Sequence, residues 1–298
     1  MFLPAKGLQQ SDTRQEYRLC GTRDRLALGH LISSVAMTCR GQIRWLLAVF
    51  LVFAQTLAPI AAGADGPVRV AVASNFAGTM RDVVDAFEAA TGYAVTLSPA
   101  STGKLFAQIR NGAPFDIFLA ADVSRPEALE ASGHAIADTR FTYAVGRLVL
   151  WSADRNLVDR HCRDALVQDS GGRLAIANPR TAPYGLAAEQ VLASLDESGA
   201  LQDRLVVGEN VGQTLQFAAT GNARFAFVSA AQLHGPLADV PGCRWDVPGD
   251  LHSPVEQQVV LLRNAAESSS ARALLAFLKS EQGRRLIETR GYTVPDDG

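Results

Sequence analysis

Two adjacent hydroxyls, Ser101 and Thr102, follow the apolar run "AVTLS" and stand directly before "GKLFAQIRNG", a helical pattern. Three other turns share this composition. Ser74 and Asn75 follow "VRVAVA", Tyr184 and Gly185 follow "NPRTAP", and Asn210, Val211 and Gly212 follow "VVGE". A helix start leaves N–H groups without intrahelical acceptors at the positive end of the macrodipole, and hydroxyls add donors that carry no charge. Such groups suit the holding of an anion. The same residue types are ordinary N-caps that satisfy only their own helix, and for any single turn that reading is favoured. Spacing alone leaves the four turns together evenly balanced between caps and a shared ligand site.

Other chemistries lack their residues. "STGK" does not have the Gly-x-x-x-x-Gly-Lys-Ser/Thr order of a phosphate loop, no Gly-x-Gly-x-x-Gly follows the first strand, and no Gly-x-Ser-x-Gly elbow occurs. His134, His161, His234 and His252 are scattered through loop-like stretches, with no Cys-x-x-Cys and no Cys/His cluster beside them. Nothing assembles a nucleophile, a base and an orienting acid, so an enzyme is disfavoured. The formal charge of −2 gives no bulk attraction to nucleic acid or to an anionic membrane.

The first 64 residues read as a leader. Arg40 and Arg44 flank an apolar run from Trp45 to Leu57, and Ala62-Gly63-Ala64 supplies a small-x-small cleavage signature. That order is a secretory signal peptide. The run is shorter than the about 20 residues a membrane anchor needs. The signal is expected to span residues 37–64, starting at Met37, with residues 1–36 an upstream artefact. Residues 1–64 hold 7 of the 28 Lys/Arg and 3 of the 30 Asp/Glu, so residues 65–298 are net −6. Cys162 and Cys243 remain after cleavage, an even pair in an exported chain. A disulfide is the expected reading, with two buried free thiols as the alternative.

Positioning these turns requires alternating elements. "VRVAVAS" is a strand, and Met80, Val83, Val84 and Phe87 follow at the spacing of a helix with one buried face. "AVTLS", the helix from Gly103, the apolar "FDIFLAA" and a helix over residues 125–132 continue the alternation. A second series follows, with strands "GRLVLWS", "GRLAIAN", "RLVVGE" and "RFAFVSA" and helices over residues 185–196 and 213–219. After a proline- and glycine-rich stretch (236–254) come the strand "QQVVLL" and one long helix over residues 266–288. The pattern predicts an α/β fold of two lobes, each a mostly parallel sheet with helices on both faces and a cleft between them. Lobe one is placed at residues 65–145 plus 249–298 and lobe two at 146–248, with hinges near 143–149 and 250–259.

The segments "VAVASNFAGTMRDVVDAFEAATG", "ASTGKLFAQIRNGAPFDIFLAAD", "ANPRTAPYGLAAEQVL" and "ENVGQTLQFAATGNARFAFVSAAQL" resemble the periplasmic molybdate-binding proteins of ABC importers, over about residues 68–295. The resemblance implies a type II periplasmic-binding-protein fold that closes around a tetrahedral oxyanion and docks on a membrane permease. It also implies a periplasmic, monomeric protein without a cofactor, in which molybdenum is bound only as the oxyanion. It assigns ligand contacts to Ser74, Ser101, Thr102, the backbone N–H groups of Tyr184 and Val211, and Ser229. Thr102 stands where relatives usually have a second serine and Ser229 where some have a tyrosine. Lys104 is expected to point to solvent, because the sites of the family are neutral.

Molybdate and tungstate present only acceptors, so a site made only of donors satisfies every oxygen. Hydrogen phosphate would leave its O–H facing donors, a buried mispairing worth about 1–3 kcal/mol. Sulfate passes that test and must be excluded by size. The alternatives are the same fold holding phosphate, sulfate or thiosulfate, and, more remotely, an enzyme or a ligand-sensing domain.

Overall fold

The computed structural model describes residues 66–169, 171–195 and 199–295. The signal-peptide reading and the Met37 start lie outside them. Two five-stranded sheets carry the chain. The first is ordered β2 (Val95–Ala100), β1 (Val68–Ala73), β3 (Ile117–Leu119), β10 (Val255–Leu261) and β4 (Phe141–Gly146). The second is ordered β7 (Leu205–Gly208), β6 (Leu174–Ala177), β8 (Phe225–Ser229), β5 (Leu148–Ser152) and β9 (Cys243–Asp246).

Both sheets are mixed. In the first, β1 pairs in parallel with β2 and β3, while β10 runs antiparallel to β3 and β4. In the second, β6 pairs in parallel with β7 and β8, while β5 runs antiparallel to β8 and β9. The parallel half of each sheet is the half whose strand ends bear the hydroxyl, Tyr-Gly and Asn-Val-Gly turns. Arg147 alone separates β4 from β5, so the chain passes from one sheet to the other within a residue. It returns through residues 247–254.

The helices form where the apolar spacing requires them. α1 (Ala77–Thr91) buries Met80, Val83, Val84 and Phe87 against the first sheet. Each such side chain contributes about 1.5–3 kcal/mol when fully buried. α2 (Thr102–Arg110) and α3 (Ser124–Ala131) cover the opposite face with Leu105, Ile109 and Leu129. Around the second sheet pack α4 (Cys162–Gln168), α5 (Pro183–Leu195) and α6 (Val211–Ala219).

Several elements depart from the sequence reading. The long terminal helix is two, α7 (Ser269–Lys279) and α8 (Glu281–Thr289). Between them Ser280 is extended (φ −65°, ψ 158°), and its hydroxyl accepts from the Gly283 N–H at 3.1 Å, capping α8. β4 was not foreseen, although the strand read over residues 146–152 is present as β5 and the chain crosses between the sheets inside the segment 143–149. β9 lies inside the proline- and glycine-rich stretch, and α4 was not foreseen. Cys162 at the start of α4 and Cys243 on β9 are joined as a disulfide, with Cα atoms 5.1 Å apart.

Candidate functional site

Where the parallel strands of both sheets end, a small cavity is lined by Ser74, Asn75, Ser101, Thr102, Tyr184 and Val211, with small apolar residues between them. Five of the six positions expected from the sequence therefore meet at one place, and Asn75 joins them. Among the described residues, no charged side chain lines this cavity.

Ser101 does not cap its helix through its side chain. It occupies the N-cap position of α2 with extended backbone (φ −67°, ψ 146°), yet its side chain makes no capping bond. Neither its hydroxyl nor that of Ser74 has a protein partner, although Ser101 is only 4% exposed. Both hydroxyls are thus free to donate to whatever occupies the cavity. The Ser74 N–H is already used, donating to the Ala100 carbonyl at 2.9 Å, so its hydroxyl is the group it has to offer. The Thr102 hydroxyl accepts from the Ala121 N–H at 3.1 Å and keeps its own proton to donate.

Three helix starts converge on the same space. Thr102 is the first residue of α2, Tyr184 the second of α5 and Val211 the first of α6. By helix geometry their N–H groups lack intrahelical acceptors, and each helix start carries about half a positive charge. By contrast, Asn210 does cap α6, accepting from the Gln213 N–H at 3.1 Å. The Tyr-Gly pair is explained by packing: a Cβ at Gly185 would overlap the Ala177 carbonyl, so only glycine lets the first turn of α5 lie on the end of β6.

Ser229 does not line the cavity. It is fully buried one side chain behind it, donating to the Tyr184 phenol oxygen at 3.0 Å, while its N–H donates to Gln232 Oε1 at 3.1 Å. Gln232 Nε2 reaches the Val211 carbonyl at 3.4 Å, so Ser229 and Gln232 brace the two turns from the rear.

Beneath the cavity floor lies a polar layer that sequence reasoning missed. Gln257 Oε1 on β10 accepts from Asn75 Nδ2 at 2.7 Å and from the Tyr143 hydroxyl at 3.2 Å. The Tyr292 hydroxyl donates to the Asn75 carbonyl at 3.0 Å. Burial pushes the phenols of Tyr143 and Tyr184 well above their ordinary value and that of Tyr292 up to about 12, so all three are neutral donors at physiological pH. The one available signal was the pair Gln257-Gln258 inside an otherwise apolar strand, since a buried amide needs partners.

Contacts across the cleft mouth hold the two lobes together. The Gly103 N–H donates to the Thr181 carbonyl at 2.8 Å. Lys104 points away from the cavity, and its Nζ lies 3.3 Å from Glu209 Oε2 on the other lobe, with both side chains exposed. Arg125, paired with Asp122, also reaches the Arg180 carbonyl at 3.3 Å. None of His134, His161, His234 and His252 borders the cavity, and among the described residues no group of three or more His, Cys, Asp or Glu side chains is placed to hold a metal ion.

A two-lobed α/β chain with a neutral, donor-lined cavity where the lobes meet has the architecture of a small-solute receptor. Residues 68–293 match the family described as bacterial extracellular solute-binding protein, and the chain belongs to that family. It is 45% identical over 225 residues to the molybdate-binding protein ModA of Azotobacter vinelandii, covering 76% of this chain and 89% of that protein. To ModA of Rhodobacter capsulatus it is 42% identical over 231 residues, covering 78% and 90%. The solved structure of the Azotobacter vinelandii periplasmic molybdate-binding protein superposes with a TM-score of 0.72 at 38% identity, covering 77% of this chain and all of that one.

Proposed function

We propose that this protein captures molybdate or tungstate outside the cytoplasm and delivers the oxyanion to the membrane permease of an ABC importer, acting as a monomeric binder and not as an enzyme. The reading is carried by one observation. The cavity offers unpartnered hydroxyls from Ser74 and Ser101, a free hydroxyl proton on Thr102 and the helix-start N–H groups of Thr102, Tyr184 and Val211, with no charged side chain among them. Donors alone suit an ion whose every oxygen is an acceptor, and they disfavour one that brings a proton. Neutral dipoles offset part of the ion's dehydration without an ion pair that would hinder release. The likeness to two molybdate-binding proteins above 40% identity supports the same ligand.

Calorimetric titration of residues 65–298 with molybdate, tungstate, sulfate and phosphate tests the reading. Tight binding of the first two, weak sulfate and silent phosphate is expected. Binding of phosphate or sulfate with silence toward molybdate would keep the fold and overturn the ligand.

A further inference from the structure

Tyr184 faces two ways. Its N–H opens on the cavity, while its phenol runs back to the crossover between the lobes, where Gly146 ends β4. A Cβ at position 146 would overlap the Tyr184 hydroxyl oxygen outright and stand 2.9 Å from the phenol Cζ and from Gln257 Nε2. Tyr184 and its partner Ser229 belong to the second lobe, whereas Gly146 and Gln257 belong to the sheet of the first. Gln257 is fully buried, and its Nε2 is the one buried side-chain polar atom among the described residues without a hydrogen-bond partner. It lies beside the Tyr184 phenol, both next to the Cβ position of Gly146.

We infer that Gly146 and Gln257 form a lobe-one seat for the Tyr184 phenol, so that closing the cleft sets the phenol in its seat and the Tyr184 N–H against the bound ion in one movement. Gly146 and Gln257 are thus positioning residues, acting on the ligand through Tyr184. When the lobes part, the phenol leaves with Ser229 and the notch at Gly146 empties. Gly146 does not have positive φ, so alanine fits its backbone and is opposed chiefly by the phenol, with the Gln257 amide a lesser obstacle. The inference rests on the capture-by-closure reading, and its test separates the two.

Closure can be read without a ligand. Lys104 and Glu209 touch only when the lobes are together, so a zero-length carbodiimide cross-link between them, quantified by peptide mass spectrometry, reports the closed state. Gly146→Ala is expected to lower the cross-link yield and to weaken molybdate binding roughly tenfold to hundredfold, the range of an overpacked contact. The loss should fall on the dissociation rate. Adding Tyr184→Phe removes the overlapping oxygen and should recover both readouts in part. Tyr184→Phe alone keeps the backbone N–H, so its expected effect is a smaller loss of both. An unchanged cross-link yield in either Gly146→Ala or Tyr184→Phe would overturn the inference, as would a Gly146→Ala defect that Tyr184→Phe does not relieve. Should the wild-type protein bind none of the oxyanions while its cross-link still depends on Gly146, the ligand reading falls and the seat stands.

Discussion

Replacing Ser101 by alanine separates the two roles a serine before a helix can have. Where such a serine caps its helix, the substitution costs about 1 kcal/mol of stability. Here Ser101 holds the N-cap position without the bond. Its carbonyl accepts from the Leu105 N–H at 3.1 Å, which alanine preserves, and the next free N–H, that of Gly103, already donates to Thr181. Ser101→Ala therefore removes no protein hydrogen bond, and the unliganded protein should unfold in urea with a free energy unchanged within about 0.5 kcal/mol. The cost should appear on binding instead. A hydrogen bond to a charged group is worth about 1.5–3 kcal/mol. At 1.4 kcal/mol per decade that is roughly a tenfold to hundredfold rise in the molybdate Kd. Asn210→Ala is the internal control: Asn210 does cap α6, so this variant should lose about 1 kcal/mol of stability with a smaller change in affinity. If Ser101→Ala loses about 1 kcal/mol of stability and binds as wild type, Ser101 is a cap and the assignment of its hydroxyl to the ligand is wrong.

The Cys162–Cys243 bridge, with a sequence separation of 81, should contribute up to about 4.5 kcal/mol through loop-closure entropy. Calorimetry of Cys162→Ala/Cys243→Ala is thus expected to show a melting point lower by roughly 10–18 °C, and a drop under about 2 °C would contradict this. Alkaline pH should unfold the protein through its buried phenols. The folded values of Tyr143, Tyr184 and Tyr292 lie above that of an unfolded tyrosine, so the folded state holds more protons above about pH 10. Their contribution is then complete below about pH 10 and lost as pH rises through the folded values, near 12 for Tyr292. Urea titrations at successive pH values should show it, and ultraviolet difference titration should find these three phenols ionising only together with unfolding.

How much of this was legible in sequence depends on the distance over which each feature is encoded. The turns are local: an apolar run, then Ser-Asn, Ser-Thr-Gly or Pro-Tyr-Gly, then a helical period, and the parallel strands bring those turns together as the alternation implied. The split between α7 and α8 is also local, written in Ser280 and Gly283, and was lost because the apolar spacing on either side reads as one face. β9 was hidden by its proline and glycine neighbours, since pairing with β5 and not its own propensity makes it a strand. The polar layer is different in kind. Asn75 bonds Gln257 across 182 residues and Tyr292 across 217, contacts that no window of sequence contains.

Ser229 was expected to touch the ligand, and the structure places it behind the cavity instead. Ser229 ends β8, its side chain is too short to enter the cavity, and Tyr184 lies between it and the cavity. The Ser101-Thr102 pair divides its work: Thr102 takes the Ala121 N–H and fixes the turn to the first sheet, which leaves the Ser101 hydroxyl free of structural duty. A neutral site needs that separation. With no charged side chain to dominate the field, affinity rests on several dipoles held at fixed distances, and each must be anchored by a neighbour that does not itself compete for the ion.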